Sequence, residues 1–132
     1  MRTIKFRGKR LLSEDWEYGN LIQRPDGGNF IETGDMRLCP MQDFSIGQFT
    51  GLYDKNGKEI YEGDIIRSFD SKGEPIIHYL LYDNEEAGFV VILKGSAKGD
   101  FGYGRCCQQW ITECEEEVIG NIHDNPELLK GK

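Results

Sequence analysis

Apolar residues recur at every second position in short runs bounded by Gly, Asp, Asn or Pro, the period of half-buried β-strands and not of helices. Ile4 and Phe6, then Trp16 and Tyr18 through Ile22, alternate on either side of the charged turn Ser13, Glu14, Asp15, which predicts an amino-terminal hairpin. Residues 24–29 read as a loop. Residues 30–43, interrupted by Gly34 and Pro40, show little periodicity. From residue 46 the pattern sharpens into predicted strands over 49–53, 58–61, 65–69, 75–82 and 89–93, whose short connections imply an antiparallel meander. Asn56 and Gly57 can adopt the left-handed dihedrals of a tight hairpin turn. Gly63 and Asp64 suit the point where the chain enters a buried strand, a device common in small barrels, with the carboxylate bonding local amides. Beyond a glycine-rich loop at 94–104, strand alternation would put Ile111, Glu113, Glu115, Glu117 and Ile119 on one face. Trp110, Cys114 and Val118 share a helical spacing instead, so this segment reads as a helical turn running into a strand over 116–119. Asn125, Pro126 and Glu127 mark the start of a short terminal helix.

Charge narrows the partners. A net charge of -7 and a pI near 4.8 oppose non-specific attraction to phosphate backbones. The exception is the basic amino end, Arg2, Lys5, Arg7, Lys9 and Arg10, which reads first as a solvated strand face and second as a patch for an acidic surface. Leu11 and Leu12 run straight into Ser13, Glu14 and Asp15, so no export signal is expected. The longest apolar runs are strand-length, so no membrane span is expected either. A cytoplasmic protein follows from that reading, with Cys39, Cys106, Cys107 and Cys114 as free thiols. A zinc site can be drawn from Cys106, Cys107, Cys114 and His123, but no Cys-x-x-Cys knuckle supports it.

The search for chemistry finds turns and strands before it finds reagents. Gly99, Gly102 and Gly104 lack the lysine and hydroxyl residue of a phosphate-cradling loop. Neither His78 nor His123 has a nucleophile at a readable spacing. The stripe Glu113, Glu115, Glu117 has the residue type for a hard cation, but reads first as an exposed edge that deters aggregation. Phe101, Tyr103 and Trp110 form the one candidate platform for a peptide or a base, against the plainer role of roofing the core. No cofactor is implied.

The blocks 4–7, 16–22, 46–66 and 118–129, and above all the combination of residues 47–51 with 54–57 and 61–64, resemble the YopX family of phage and prophage proteins of Gram-positive bacteria. The resemblance spans the chain. It implies a β-rich fold with an SH3-like small barrel, self-association and no catalytic residue. Together these readings predict a mainly β protein: an amino-terminal hairpin lobe and linker over 1–45, and an SH3-like barrel core over 46–132 closed by the terminal helix. As a function they predict a non-catalytic protein-binding or oligomeric assembly module, partnered by its own copies or by a host or phage protein. The alternatives are a nucleic-acid-binding module, resting on the basic amino end, and a metal-dependent hydrolase, which would require His78 or His123 to meet the Glu113 to Glu117 stripe in space. Asn56, Gly57, Gly63 and Asp64 are assigned to architecture.

Overall fold

The structure is a computed structural model and describes residues 1–96 and 103–131. The chain divides into two compact units, Met1–Gly51 and Leu52–Lys132.

The first unit is an antiparallel sheet of β1 (Phe6–Lys9), β2 (Trp16–Gln23), β3 (Asn29–Glu32), β4 (Leu38–Pro40) and the first part of β5 (Gly47–Tyr53), in the order β4-β3-β2-β1-β5. The predicted hairpin is present, with Arg7 opposite Tyr18 and Lys9 opposite Trp16. On one face Ile31, Cys39 and Met41 are buried, and Phe6, Leu21 and Ile46 pack against them. On the other, Arg7 and Lys9 are only 6% exposed. Their charged heads lie 4.8 and 5.8 Å from the Trp16 ring centre, and Lys9 also pairs with Glu14. Of the basic amino end, Arg7 and Lys9 therefore do not form the solvated strand face that composition suggests, because the Trp16 ring on the neighbouring strand covers their long side chains, while Arg2 stays exposed.

In the second unit, β7 (Asp64–Phe69), β8 (Pro75–Asp83), β9 (Gly88–Leu93), β10 (Tyr103–Arg105) and β11 (Glu117–Asn121) form a five-stranded antiparallel sheet in the order β10-β9-β8-β7-β11. β6 (Glu59–Tyr61) forms a hairpin with the end of β5, and α1 (Gln108–Glu113) precedes β11. Ile60, Ile66, Leu80, Val91 and Ile111 make the core, with Leu52, Cys106, Trp110 and Val118 packed on it.

This sheet is open, so the expected closed SH3-like barrel is not formed. Closure would require a strand to pair with the outer edge of β11. Side chains occupy that edge instead: Val118 N–H donates to Asp54 Oδ2 at 3.0 Å and Asn121 N–H to Asn125 Oδ1 at 3.2 Å. The terminal helix is a 3-10 turn over Pro126–Leu129, and Asn125, committed to Asn121, makes no side-chain cap for it.

Four hairpin turns share one construction. In each, the first residue after the strand accepts at its carbonyl from the N–H three residues on, and its own N–H bonds the carbonyl four residues on. The pairs are Arg24 with Gly27 and Gly28, Thr33 with Met36 and Arg37, Asp54 with Gly57 and Lys58, and Asp70 with Gly73 and Glu74. The fourth position has φ of 98°, 66°, 80° and 81° in Gly27, Met36, Gly57 and Gly73. Each turn is closed by a left-handed residue, and of Asn56 and Gly57, both expected to allow left-handed dihedrals, Gly57 alone takes positive φ. Met36 is the one turn that puts a side chain in the left-handed region. Met36→Gly should therefore raise stability by about 0.5–1 kcal/mol, read as a higher denaturant midpoint at unchanged slope.

Candidate functional site

Two of the signature stretches, 46–66 from Leu52 onward and 118–129, meet in the second unit, and Asp54 joins them. Its Oδ1 accepts from Asn56 N at 2.8 Å and Lys58 N at 2.9 Å, holding the turn, while its Oδ2 accepts from Val118 N at 3.0 Å in the distant stretch. Lys55 N–H donates to the Glu116 carbonyl at 2.9 Å, and Asn56 Nδ2 donates to Glu117 Oε2 at 3.2 Å. Gly63, at φ 92°, donates to the Leu80 carbonyl and accepts from Ile122 N, each at 2.8 Å. Asp64, 1% exposed, accepts from Tyr61 N at 2.7 Å. At the far side Asn121 Oδ1 accepts from His123 N and Asp124 N. Gly120 leaves the room that the Asn125 amide occupies, since a Cβ there would lie 2.8 Å from Asn125 Cγ. The corner residues thus act through backbone amides and close approach, which is architectural work.

The acidic stripe does not exist. Glu113 ends α1 and Glu115 takes φ 54°, so only Glu117 lies on a strand, where it pairs with Arg67 at 3.1 Å. The cause is a helix stop. Glu115 N–H bonds the Thr112 carbonyl at 3.2 Å and Glu116 N–H the Ile111 carbonyl at 3.1 Å. This is the double bond of a Schellman motif, with glutamate at the left-handed position that glycine favours. The residue after it, normally apolar because it contacts the last helical turn, is Glu116.

Glu116 is 0% exposed, and neither of its carboxylate oxygens has a hydrogen-bond partner. It sits beside Ser68 on the face of the sheet that carries Ile66, His78 and Val118, as the pairings Glu117 with Arg67, Val118 with Ile66 and Ile66 with His78 require. Burial pushes its carboxyl up to about 7, and the Ser68 hydroxyl, which makes no well-formed bond to it, offsets this only in part. His78 is 8% exposed, its Nδ1 has no partner, and burial lowers its pKa. The edge of its ring meets Trp110 with centroids 5.2 Å apart. Cys106 is pushed up to about 12, by burial first and then by Cys107 and Glu116. Cys114 is raised by burial, then by Glu116 and Glu113.

At neutral pH this face holds a neutral imidazole, neutral thiols and an acid whose carboxyl is raised by burial, with His78 and Glu116 buried and Cys106 and Cys114 partly exposed. It can hold a proton, but it does not present an activated nucleophile. His123 belongs to the turn after β11 and does not join the row. Among the described residues no three His, Cys, Asp or Glu side chains converge as a metal site, and Cys39, Cys106, Cys107 and Cys114 are free thiols. Of the aromatic platform, Phe101 lies outside the described residues, Tyr103 opens β10 opposite Ile92, and Trp110 packs half-buried on the core. The sequence reading missed Glu116 and Ser68. Strand alternation between Cys114 and Val118 was the available signal, since it put a carboxylate in the row that also carries core residues.

The two units define a mainly β, antiparallel protein whose signature stretches build corners and joints. It belongs to the YopX family: the model of the YopX protein matches residues 5–130. A crystal structure of protein EF1440 from Enterococcus faecalis is similar at 25% sequence identity and a TM-score of 0.60, over 98% of this chain and 100% of that one. No curated protein matches the chain. Among the described residues no helix is long and apolar enough to cross a membrane.

Proposed function

We propose that the protein is a non-catalytic protein-binding or assembly module of phage or prophage origin, and that it associates with its own copies through the first unit. The observation that carries this is an apolar knob at the end of that unit's sheet. Leu12 is 95% exposed and Leu11 53% exposed, around a shallow concavity shared with Arg10, Ser13, Asp15 and Pro40. Strand addition beside it is blocked, because Pro40 has no N–H and its carbonyl already accepts from Leu11 N at 2.9 Å. Contact there must run through side chains, and two adjacent exposed leucines are the residue type that gains from being covered.

The alternatives draw less support. Arg7 and Lys9 are buried against Trp16, so they offer little charge to phosphates. The Ser68, His78, Glu116 row is closed to a substrate. Sedimentation velocity over a hundredfold concentration range tests the reading. The wild type should associate, and Leu12→Glu should shift it toward monomer by about tenfold or more in dissociation constant, with an unchanged circular dichroism spectrum. A wild type that stays monomeric throughout, or a Leu12→Glu protein that assembles equally well, would contradict it.

A further inference from the structure

We propose that α1 is held on the second unit's core by a proton-dependent cap: Glu116 seats as the neutral acid, and losing its proton unseats residues 107–116 and uncovers Trp110 and Ile111. The Schellman stop puts Glu116 where a hydrophobic residue normally packs on the last helical turn, here against Ile111, which is itself 0% exposed. A neutral carboxylic acid tolerates that position. A carboxylate with two unpartnered oxygens does not.

The groups around Glu116 offer no compensation. β7 presents the Ser68 hydroxyl, and the β8 residue opposite it is Ile76; His78, two positions along β8, is kept neutral by burial. The flanks of α1 present the Cys106 and Cys114 thiols, and Glu113 ends the helix. The chain neighbours are Glu115 and Glu117, the latter engaged by Arg67. Asp54, on the hairpin before β6, is saturated by three amides.

Besides the packing of Ile111 and Trp110, releasing residues 107–116 breaks few polar ties, among them the Lys55 N–H bond to the Glu116 carbonyl at 2.9 Å. The helix has six residues, its stop stores strain at Glu115, and its outer tether is the Gln108 side-chain amide, which donates to the Tyr53 carbonyl and accepts from Tyr53 N, each at 2.9 Å. The sign follows from the raised carboxyl. The folded state holds a proton that the unfolded or opened state releases from about 4.5 upward, so the seated form loses stability as pH rises toward about 7. Above that, each further unit favours neither state more.

Hydrogen exchange on the full chain between pH 5 and 9, expressed as protection factors, tests this. Protection at the Ile111, Cys114 and Glu116 amides should fall about tenfold per unit across the window below pH 7 and then level off, while the Leu80 amide changes far less. The same profile should be flat in Glu116→Gln. In a Trp16→Phe background, Trp110 emission should move to longer wavelength over the same range. Flat protection in the wild type, or an unchanged fall in Glu116→Gln, would overturn the proposal. Should Glu116→Gln fail to fold, the carboxyl carbon-13 shift of wild-type Glu116 decides instead: a midpoint near 7 supports it and one in the ordinary carboxylate range overturns it.

Discussion

Asp54→Ala should lower the stability of the protein by about 3 kcal/mol, since it strands three backbone donors at about 1 kcal/mol each. The amides of Asn56, Lys58 and Val118 would lose their acceptor together, at a residue only 6% exposed. Asp54→Asn keeps one oxygen and should cost less, roughly 1–2 kcal/mol, because its amide group would face a donor. A useful contrast is Asp70. It holds the turn after β7 in the same way, accepting from Lys72 N at 2.8 Å and Glu74 N at 2.9 Å, but among the described residues its second oxygen meets no long-range amide. Asp70→Ala should therefore cost about 2 kcal/mol, and the difference between the two variants measures the joint with β11. Urea denaturation at constant slope gives each value.

Gly19→Ala should be at least as damaging. A Cβ at Gly19 would be driven into the Glu32 carbonyl group, 3.0 Å from its carbon, with Ile31 Cγ2 at 3.4 Å. The obstacle is backbone in the adjoining strand, so it cannot rotate away as a side chain would. β2 and β3 must separate, and Leu21 opposite Ile31 goes with them. We expect a loss of about 4 kcal/mol, on the scale of overpacking in a buried sheet. Gly34→Ala is the control: nothing lies within 4 Å of its Cβ position, and its stability should change little.

How much was legible depended on whether local chemistry and tertiary contact agreed. β7, β8 and β9 were readable within a residue or two because each couples an apolar run to a turn rich in Asp and Gly. β3 and β4 were not. They are four and three residues long, too short to show a period, and Pro40 reads as a breaker although it sits at a sheet edge where its missing N–H is harmless.

The sequence shows a helical turn running into a strand over 116–119 but not where the helix stops, because the stop at Glu115 lacks the glycine that announces such stops. With that signal absent, strand alternation aligns Glu113, Glu115 and Glu117 on one face. Barrel closure failed for a different reason: the sequence shows strands and turns, whereas closure depends on which groups occupy an edge. Asp54 and Asn125 occupy the edge of β11 from 64 and 4 residues away.

The central claim is that the two signature stretches form one structural joint through Asp54. Amide exchange at Val118 in Asp54→Asn tests it most directly. The account predicts that Val118 and Lys58 lose protection together, although 60 positions separate them, while Leu80 keeps most of its own. Loss at Lys58 with Val118 still fully protected would contradict it.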